Sequence, residues 1–95
     1  MIVLITKVCV KPERVAEYKD TFVTMARETR KEPECSSYLL FQDVQHADVW
    51  YTIGRWKTVE AVHAHMTAKH STSANAKAMD MLTKDPEFSI CQEIC

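Results

Sequence analysis

Three of the four histidines fall in one short stretch, Trp56–His70, which also holds one of the two tryptophans. The unperturbed pKa of imidazole is about 6.5, so histidine is the usual general base in neutral solution. The stretch follows Val49–Trp56, a run rich in aromatic and β-branched residues that predicts a buried strand. It is therefore the strongest candidate for a proton-transfer site.

Helix geometry decides which of these imidazoles can act together. Thr58 is a good N-cap, and successive helical residues turn by about 100°, so His63 and His65 point about 200° apart. His63 is expected to share or border the apolar stripe of the helix. His65 and His70 lie about 140° apart unless the helix ends between them, and the three hydroxyl residues at 71–73 favour such a break. His65 is either a functional imidazole or a hydrogen-bonded core histidine.

Trp56, His65 and His70 form the pattern W-x8-H-x4-H, which resembles the signature of the antibiotic biosynthesis monooxygenase domain. An N-terminal strand that ends in Val-Lys-Pro-Glu, and Cys35 and Tyr38 at the opening of the second strand, extend the likeness. The resemblance implies a small dimeric protein that oxidises quinols, anthrones or other small oxygenated molecules. The family usually has a glutamate two residues before the tryptophan, where this chain has Gly54.

Composition and charge limit the class of protein, its partners and its location. The chain has 95 residues, 46% hydrophobic and 26% charged, which predicts one globular domain over 1–95. A net charge of -1 gives no reason to expect nucleic acid or a membrane as partner. No apolar run is long enough for a membrane span and no signal peptide is apparent, so a cytoplasmic location is expected. The four cysteines form no CxxC pair and are expected to be reduced.

Hydrophobic periodicity predicts a ferredoxin-like α+β order, β-α-β-β-α-β, with a split second helix. The predicted elements are a strand over 2–10, a helix to about residue 30, strands over 37–44 and 49–56 joined by a loop over 45–48, a helix from Thr58, a helix capped by Ser73 or a neighbour that runs to Leu82, and a strand carrying Phe88, Ile90 and Ile94.

Both helices are expected on one face of the sheet. In three strands, apolar residues occupy both the odd and the even positions. Since successive residues point to opposite faces, the sheet face without helices is also apolar. An exposed apolar face of that size is unusual on a monomer, which predicts a two-fold homodimer that packs sheet against sheet. The family resemblance implies the same dimeric α/β-barrel.

The chain has no phosphate-binding loop, no dinucleotide fingerprint and no cysteine–histidine spacing suited to a metal, so no cofactor and no metal are expected. Oxidation would then use the substrate's own electrons, which requires a base, an apolar pocket and donors for an oxyanion. We assign catalytic roles to His65, as base, and to His70. The predicted substrate pocket, for a small hydrophobic or aromatic molecule, consists of Trp56, Tyr51, Phe22, Met25 and Thr6, and the candidate donors are His70, Trp56 and Thr6.

Two other functions stay open. One is isomerisation of a phosphorylated autoinducer-type sugar, the reaction of another branch of the same family that the chain resembles. The candidate cations for the phosphate group are Arg55, Lys69 and Lys77. The other is a non-catalytic dimeric module that binds a small ligand. A haem-degrading relative is less favoured, since the positions of its asparagine, tryptophan and haem-ligating histidine are occupied here by Thr6, His65 and Asn75.

Overall fold

The computed structural model describes residues 1–95 as a four-stranded sheet with helices on one face. Its elements are β1 (Ile2–Cys9), α1 (Val15–Thr29), β2 (Cys35–Gln42), β3 (Val49–Trp56), α2 (Val59–Thr67), α3 (Lys69–Ala78) and β4 (Glu87–Gln92). The strand order is β2-β3-β1-β4, and every neighbouring pair is antiparallel. This confirms the ferredoxin-like α+β architecture, because both crossovers place their helices over the same sheet.

The core lies between the helices and one face of the sheet. Successive strand residues point to opposite faces, so Leu4 and Val8 of β1 face the helices together with Trp50 and Trp56 of β3. From the helices, a stripe at three- and four-residue spacing packs against them: Tyr18, Phe22, Met25 and Ala26 of α1, Val62 of α2, and Ala74 and Ala78 of α3. The predicted placement of the helices on one face is confirmed.

The second helix is split at Ala68, a single residue with extended backbone angles (φ -64°, ψ 148°). Its carbonyl accepts hydrogen bonds from the backbone N–H groups of Ser71 and Thr72, so Ala68 caps α3. The predicted break is present, but the predicted cap at Ser73 is wrong because the new helix has already begun at Lys69. The α-helix also ends at Ala78, and a 3-10 turn over Met79–Met81 replaces its predicted last turn.

Four strand ends differ from the prediction. The carboxylate of Asp43 accepts hydrogen bonds from the backbone N–H groups of Gln45 and His46, and this turn ends β2 at Gln42 and leaves Val44 fully exposed. Pairing of β2 begins at Cys35, two residues earlier than predicted. Val10 forms only an isolated bridge with Leu82, and Ile94 lies beyond β4 and is exposed.

The second face of the sheet carries no helix. We call it the outer face, and its apolar side chains are Val3, Ile5, Leu39, Phe41, Tyr51 and Ile53. Ile5, Leu39 and Phe41 are 37%, 42% and 43% exposed, although each lies within a strand. The apolar character predicted for both sheet faces is therefore present. No helix has the length and apolar character needed to cross a membrane.

Candidate functional site

Glu32 lies at the centre of the candidate site. Its Oε2 lies 2.8 Å from His65 Nδ1 and 2.6 Å from His70 Nε2, and its Oε1 accepts a hydrogen bond of 2.9 Å from Trp56 Nε1. We call Glu32, Trp56, His65 and His70 the Glu32 cluster. One carboxylate thus joins all three residues of the W-x8-H-x4-H pattern.

Each member of the Glu32 cluster is positioned by a separate local structure. Glu32 lies in the turn after α1, where its backbone N–H donates to the carbonyl of Thr29. The hydroxyl of Thr58 accepts from the backbone N–H of Ala61 and caps α2, as predicted. The break at Ala68 then turns His70 back towards His65, with 6.0 Å between the ring centroids.

The buried face of α2 differs from the predicted one. His65 is 2% exposed and lies beside Val62 on the inner side of the helix, whereas His63 is exposed and does not share the buried stripe. The helix is rotated so that His65 packs against the Trp56 indole, with ring centroids 4.7 Å apart and the ring planes tilted by 41°. His63 therefore has no place in the site.

The hydrogen bonds determine where the ring protons lie. Burial raises the pKa of the Glu32 carboxyl, but the hydrogen bonds from His65, Trp56 and His70 outweigh burial and the pKa is lowered overall. The ionised carboxylate can only accept, so His65 Nδ1 and His70 Nε2 must both carry hydrogen. A neutral His65 then has its lone pair on Nε2, which makes no hydrogen bond within the protein.

A cavity of about 590 Å³ lies between the helices and the inner face of the sheet, and His65 lines it. Its apolar wall includes Leu4, Val8, Tyr18, Phe22, Met25 and Met66. Phe88, on the inner side of β4, and Met79 also line it and are exposed to solvent. The cavity includes three predicted pocket residues, Phe22, Met25 and Thr6, and His65 lies in its wall with Trp56 packed behind it.

Two predicted pocket residues lie elsewhere. Trp56 is completely buried behind His65, and its N–H is used by Glu32, so it neither lines the cavity nor offers a donor to it. Tyr51 pairs with Lys7 and Phe41 on β1 and β2 and points to the outer face. The assignment of Tyr51 to the pocket is corrected because alternate residues of a strand face opposite sides.

His70 is likewise separated from the cavity. It lines a different groove, between α1 and α3, and its Nε2 is held by Glu32. Of the three candidate donors, only Thr6 lines the cavity. His70 therefore contacts the same carboxylate oxygen as His65 but does not reach the cavity.

Sequence reasoning missed Glu32 and several polar groups in the cavity wall. Tyr38, Thr52, Ser71 and Asn75 all line the cavity. Burial raises the pKa of Tyr38 to about 12, so its hydroxyl stays a neutral hydrogen-bond donor at physiological pH. The alternation of inward and outward side chains along β3 could have indicated Thr52, because it lies four residues before Trp56 and therefore on the same face. No sequence spacing marked Glu32, because its partners are 24, 33 and 38 residues away.

Position 54, where the family usually has a glutamate, has no room for a side chain in this structure. A Cβ atom at position 54 would lie 2.4 Å from the six-membered ring of Trp56 and 2.7 Å from the ring of Tyr38. No side chain fits there while the indole lies flat on the strand. The carboxylate that contacts Trp56, His65 and His70 belongs instead to Glu32, in the turn after α1.

The lowered pKa of Glu32 gives a pH-dependent contribution to stability. The folded-state pKa lies below the unfolded value of about 4.3, so this contribution is present above that pH and is lost as the pH falls through the folded-state pKa. We expect the difference in unfolding free energy between the wild type and Glu32→Gln to shrink as the pH falls from 7 to 3, measured by urea denaturation. The exposed neighbour Glu34 provides the control, because Glu34→Gln should keep the wild-type pH profile. A constant difference would contradict the ionised cluster.

Comparison with known proteins gives a consistent result. The family model described as antibiotic biosynthesis monooxygenase matches residues 1–77. A crystal structure of an antibiotic biosynthesis monooxygenase superposes with a TM-score of 0.94 at 22% identity over 100% of both chains. A conserved protein from Methanosarcina mazei Go1 gives a TM-score of 0.93 at 25% identity, over 98% of this chain and 92% of the other.

A third structure, Rv0793 from Mycobacterium tuberculosis, gives a TM-score of 0.93 at 18% identity over 99% of this chain and 95% of that one. No curated protein matches the chain. The family model covers most of the sequence, including Glu32, Trp56, His65 and His70. The chain therefore belongs to the antibiotic biosynthesis monooxygenase family.

Proposed function

We propose that this protein is a monooxygenase that oxidises a small electron-rich hydroxyaromatic, of the quinol or anthrone type, with dioxygen and without a cofactor. Membership of the family supports the general monooxygenase role. The observation that carries the specific proposal is the state of His65: its Nδ1–H is held by Glu32 while its ring lines an apolar cavity.

His65 is the proposed general base. The carboxylate of Glu32 fixes the ring orientation and the tautomer, which leaves the basic Nε2 free to take a proton from a substrate in the cavity. The same carboxylate stabilises the imidazolium that forms, as the aspartate does in a Ser-His-Asp triad. Contacts with Trp56 and Tyr38, at ring-centroid distances of 4.7 and 5.5 Å, hold the imidazole in place.

The reaction proceeds with the substrate as the electron source. His65 removes a phenolic or benzylic proton, and the resulting anion transfers one electron to dioxygen. The radical pair combines to form a carbon–oxygen bond, and the substrate peroxide then breaks its O–O bond. For an anthrone, a CH2 group becomes C=O and loses four electrons. One oxygen atom becomes the carbonyl oxygen, and the other leaves as water with the two hydrogens.

The cavity suits such a substrate. Its volume of about 590 Å³ lies within the range of small-molecule pockets, about 300–1,000 Å³. The apolar side chains form most of the wall around the proposed anion, and the hydroxyls of Thr6, Tyr38 and Thr52 are donors available to a developing oxyanion. Ring substituents of the substrate would then be recognised by a few hydroxyls in an otherwise apolar wall.

Oxygen uptake tests the proposal. We expect purified protein, freed of flavin and metal, to accelerate dioxygen consumption by a substrate drawn from a panel of quinols and anthrones. His65→Ala should lower the rate by roughly 10²–10⁴-fold, as expected for loss of a general base. His63→Ala, an exposed histidine two residues away, should keep the wild-type rate.

Two controls make this result specific. His65→Asn retains an N–H donor near the position of Nδ1 but has no basic nitrogen, so it should also be inactive while circular dichroism shows a native fold. Heat-inactivated protein measures autoxidation of the substrate. Equal uptake by the wild type, His65→Ala and heat-inactivated protein would contradict the monooxygenase proposal.

The isomerase alternative has less support from the cavity. None of the cations named for a sugar phosphate, Arg55, Lys69 and Lys77, lines the cavity, whose one lysine is Lys84. Arg55 pairs with Glu93, with 3.2 Å between Nε and Oε1.

Saturable binding of an aromatic ligand without turnover would instead favour the non-catalytic module.

We also propose that two copies associate through the outer face. Three of its large apolar side chains are about two-fifths exposed, which a sheet-to-sheet contact would cover. Sedimentation equilibrium at micromolar concentration should give twice the 10.9 kDa chain mass. Phe41→Lys should shift the protein towards monomer, whereas Lys19→Glu, on the exposed side of α1, should not. A wild-type monomer would contradict the proposed dimer.

A further inference from the structure

We propose that Glu32, His65 and His70 bind a divalent first-row transition-metal ion such as Zn²⁺, and that the ion reverses the tautomer of His65. The cluster offers two imidazole nitrogens and one carboxylate oxygen, and these three atoms all lie within 4.8 Å of one another. Two histidines and one carboxylate form a common ligand set of protein-bound zinc.

The two nitrogen–oxygen distances require little change to accept an ion, and the two nitrogen atoms, which lie within 4.8 Å of each other, would approach to about the same separation. His65 Nδ1 and His70 Nε2 lie 2.8 and 2.6 Å from Glu32 Oε2, where hydrogens now fill the space between them. A tetrahedral ion about 2.1 Å from each ligand needs the ligand atoms about 3.4 Å apart. The nitrogen–oxygen distances therefore have to open by less than 1 Å, and the ion takes the place of the two N–H hydrogens.

The surroundings of the cluster resemble the outer shell of a metal site. Trp56 Nε1 donates to Oε1 of Glu32 and leaves Oε2 to face both imidazoles. Such a bond to a ligand carboxylate fixes its orientation before the ion arrives. Because Trp56 is completely buried, this donor cannot turn away to solvent. The ligand set is thus pre-organised on its carboxylate side.

Solvent reaches the cluster from the side opposite the cavity. The side chains of His70 and Glu32 are 24% and 15% exposed, and His70 lines the groove between α1 and α3. That groove also carries the carboxylates of Glu17, Asp20 and Glu28. An ion would therefore enter from the groove without passing through the cavity. Since the chain supplies three ligands, water would complete the coordination.

Metal binding would change what His65 presents to the cavity. In the hydrogen-bonded cluster, Nδ1 carries the hydrogen and Nε2 has the lone pair. An ion needs the lone pair of Nδ1, so the hydrogen of a neutral ring moves to Nε2. His65 would then donate into the cavity instead of accepting a proton. The ion would switch off the proposed base, and this last step rests on the proposed function, while the binding itself does not.

Titration of metal-free protein with Co²⁺ tests the site directly. We expect one ion per chain with visible d–d absorption and without the near-ultraviolet bands of thiolate ligation, a distinction that matters because the chain has four free cysteines. His70→Ala and Glu32→Gln should each lose this absorption, and the exposed His63→Ala should retain it. No Co²⁺ absorption in the wild type, thiolate bands, or unchanged absorption in both cluster variants would overturn the site.

The tautomer is measured separately from turnover. Nitrogen-15 NMR of the His65 ring should show hydrogen on Nδ1 in metal-free protein and on Nε2 at saturating Zn²⁺. Hydrogen that stays on Nδ1 at saturation would overturn the reversal. If the protein oxidises a quinol, Zn²⁺ should suppress the uptake in proportion to occupancy, and undiminished uptake at full occupancy would overturn the inhibition. Both spectroscopic results hold or fail independently of any activity.

Discussion

Glu32→Gln is expected to lower turnover by about 10²–10⁴-fold while the protein stays folded. The amide has no charge to stabilise the imidazolium, and its N–H2 group can force the wrong tautomer on His65, as an asparagine does in place of a triad aspartate. Because Glu32 does not line the cavity, the loss should appear in kcat, with KM little changed. Such a split would identify Glu32 as a positioning residue that acts through His65.

Steady-state oxygen uptake with the wild type, Glu32→Gln and Glu34→Gln measures this effect. Glu34 is exposed and accepts a hydrogen bond from Thr58 at the surface, so its variant should keep the wild-type kcat and KM. Circular dichroism of each variant separates a loss of activity from a loss of fold. An active Glu32→Gln with unchanged kcat would remove the carboxylate from the mechanism and leave His65 as an isolated base.

Gly54→Ala is expected to destabilise the fold, although it adds only one methyl group to β3. The new Cβ would lie 2.4 Å from the Trp56 ring and 2.7 Å from the Tyr38 ring, and the completely buried Trp56 ring, which packs within the hydrophobic core, would have to shift to accept it. Overpacking of this kind costs about 1–3 kcal/mol or more. For a domain of this size, each kcal/mol lowers Tm by about 4–8 °C.

Thermal unfolding of Gly54→Ala, followed by circular dichroism, measures this loss. The double variant Gly54→Ala/Trp56→Phe provides the control, because the smaller ring removes the closest atoms that the new methyl group meets. Its destabilisation should be less than the sum of the two single effects. An unchanged Tm for Gly54→Ala would show that the Trp56 indole does not need the space above position 54, which would contradict the steric exclusion of a side chain there.

The fold could be predicted from the sequence because its signals are local. Val49–Trp56 alternates between the two sheet faces, and α1 repeats its apolar residues at helical spacing. Residues 68–73 contained the signal for a helix break, although hydroxyl content indicated Ser73 and the chain turns at Ala68. Caps and breaks involve several residues with similar propensities, so their exact positions depend on tertiary packing.

The site could be predicted only in part because its geometry is not local. The W-x8-H-x4-H spacing identified His65 and His70 but carried no information on Glu32. Glu32 lies 33 residues before His65, so no short sequence motif contains both residues. Tyr51 was assigned to the wrong face because both faces of β3 are apolar, so hydrophobicity could not distinguish core from outer face. The same ambiguity affected His63, which borders the buried stripe in sequence but is exposed in the structure.

The sequence separations within the Glu32 cluster also bear on how the protein folds. Its three hydrogen bonds close loops of 24, 33 and 38 residues, so neither α2 alone nor the α2–α3 pair contains the carboxylate that holds the imidazoles. The entropy of closing these loops is lost before any of the three bonds can form. The Glu32 cluster therefore forms only when β3, the helices and the α1–β2 turn have docked, and a chain in which they have not docked carries its histidines without their shared carboxylate partner.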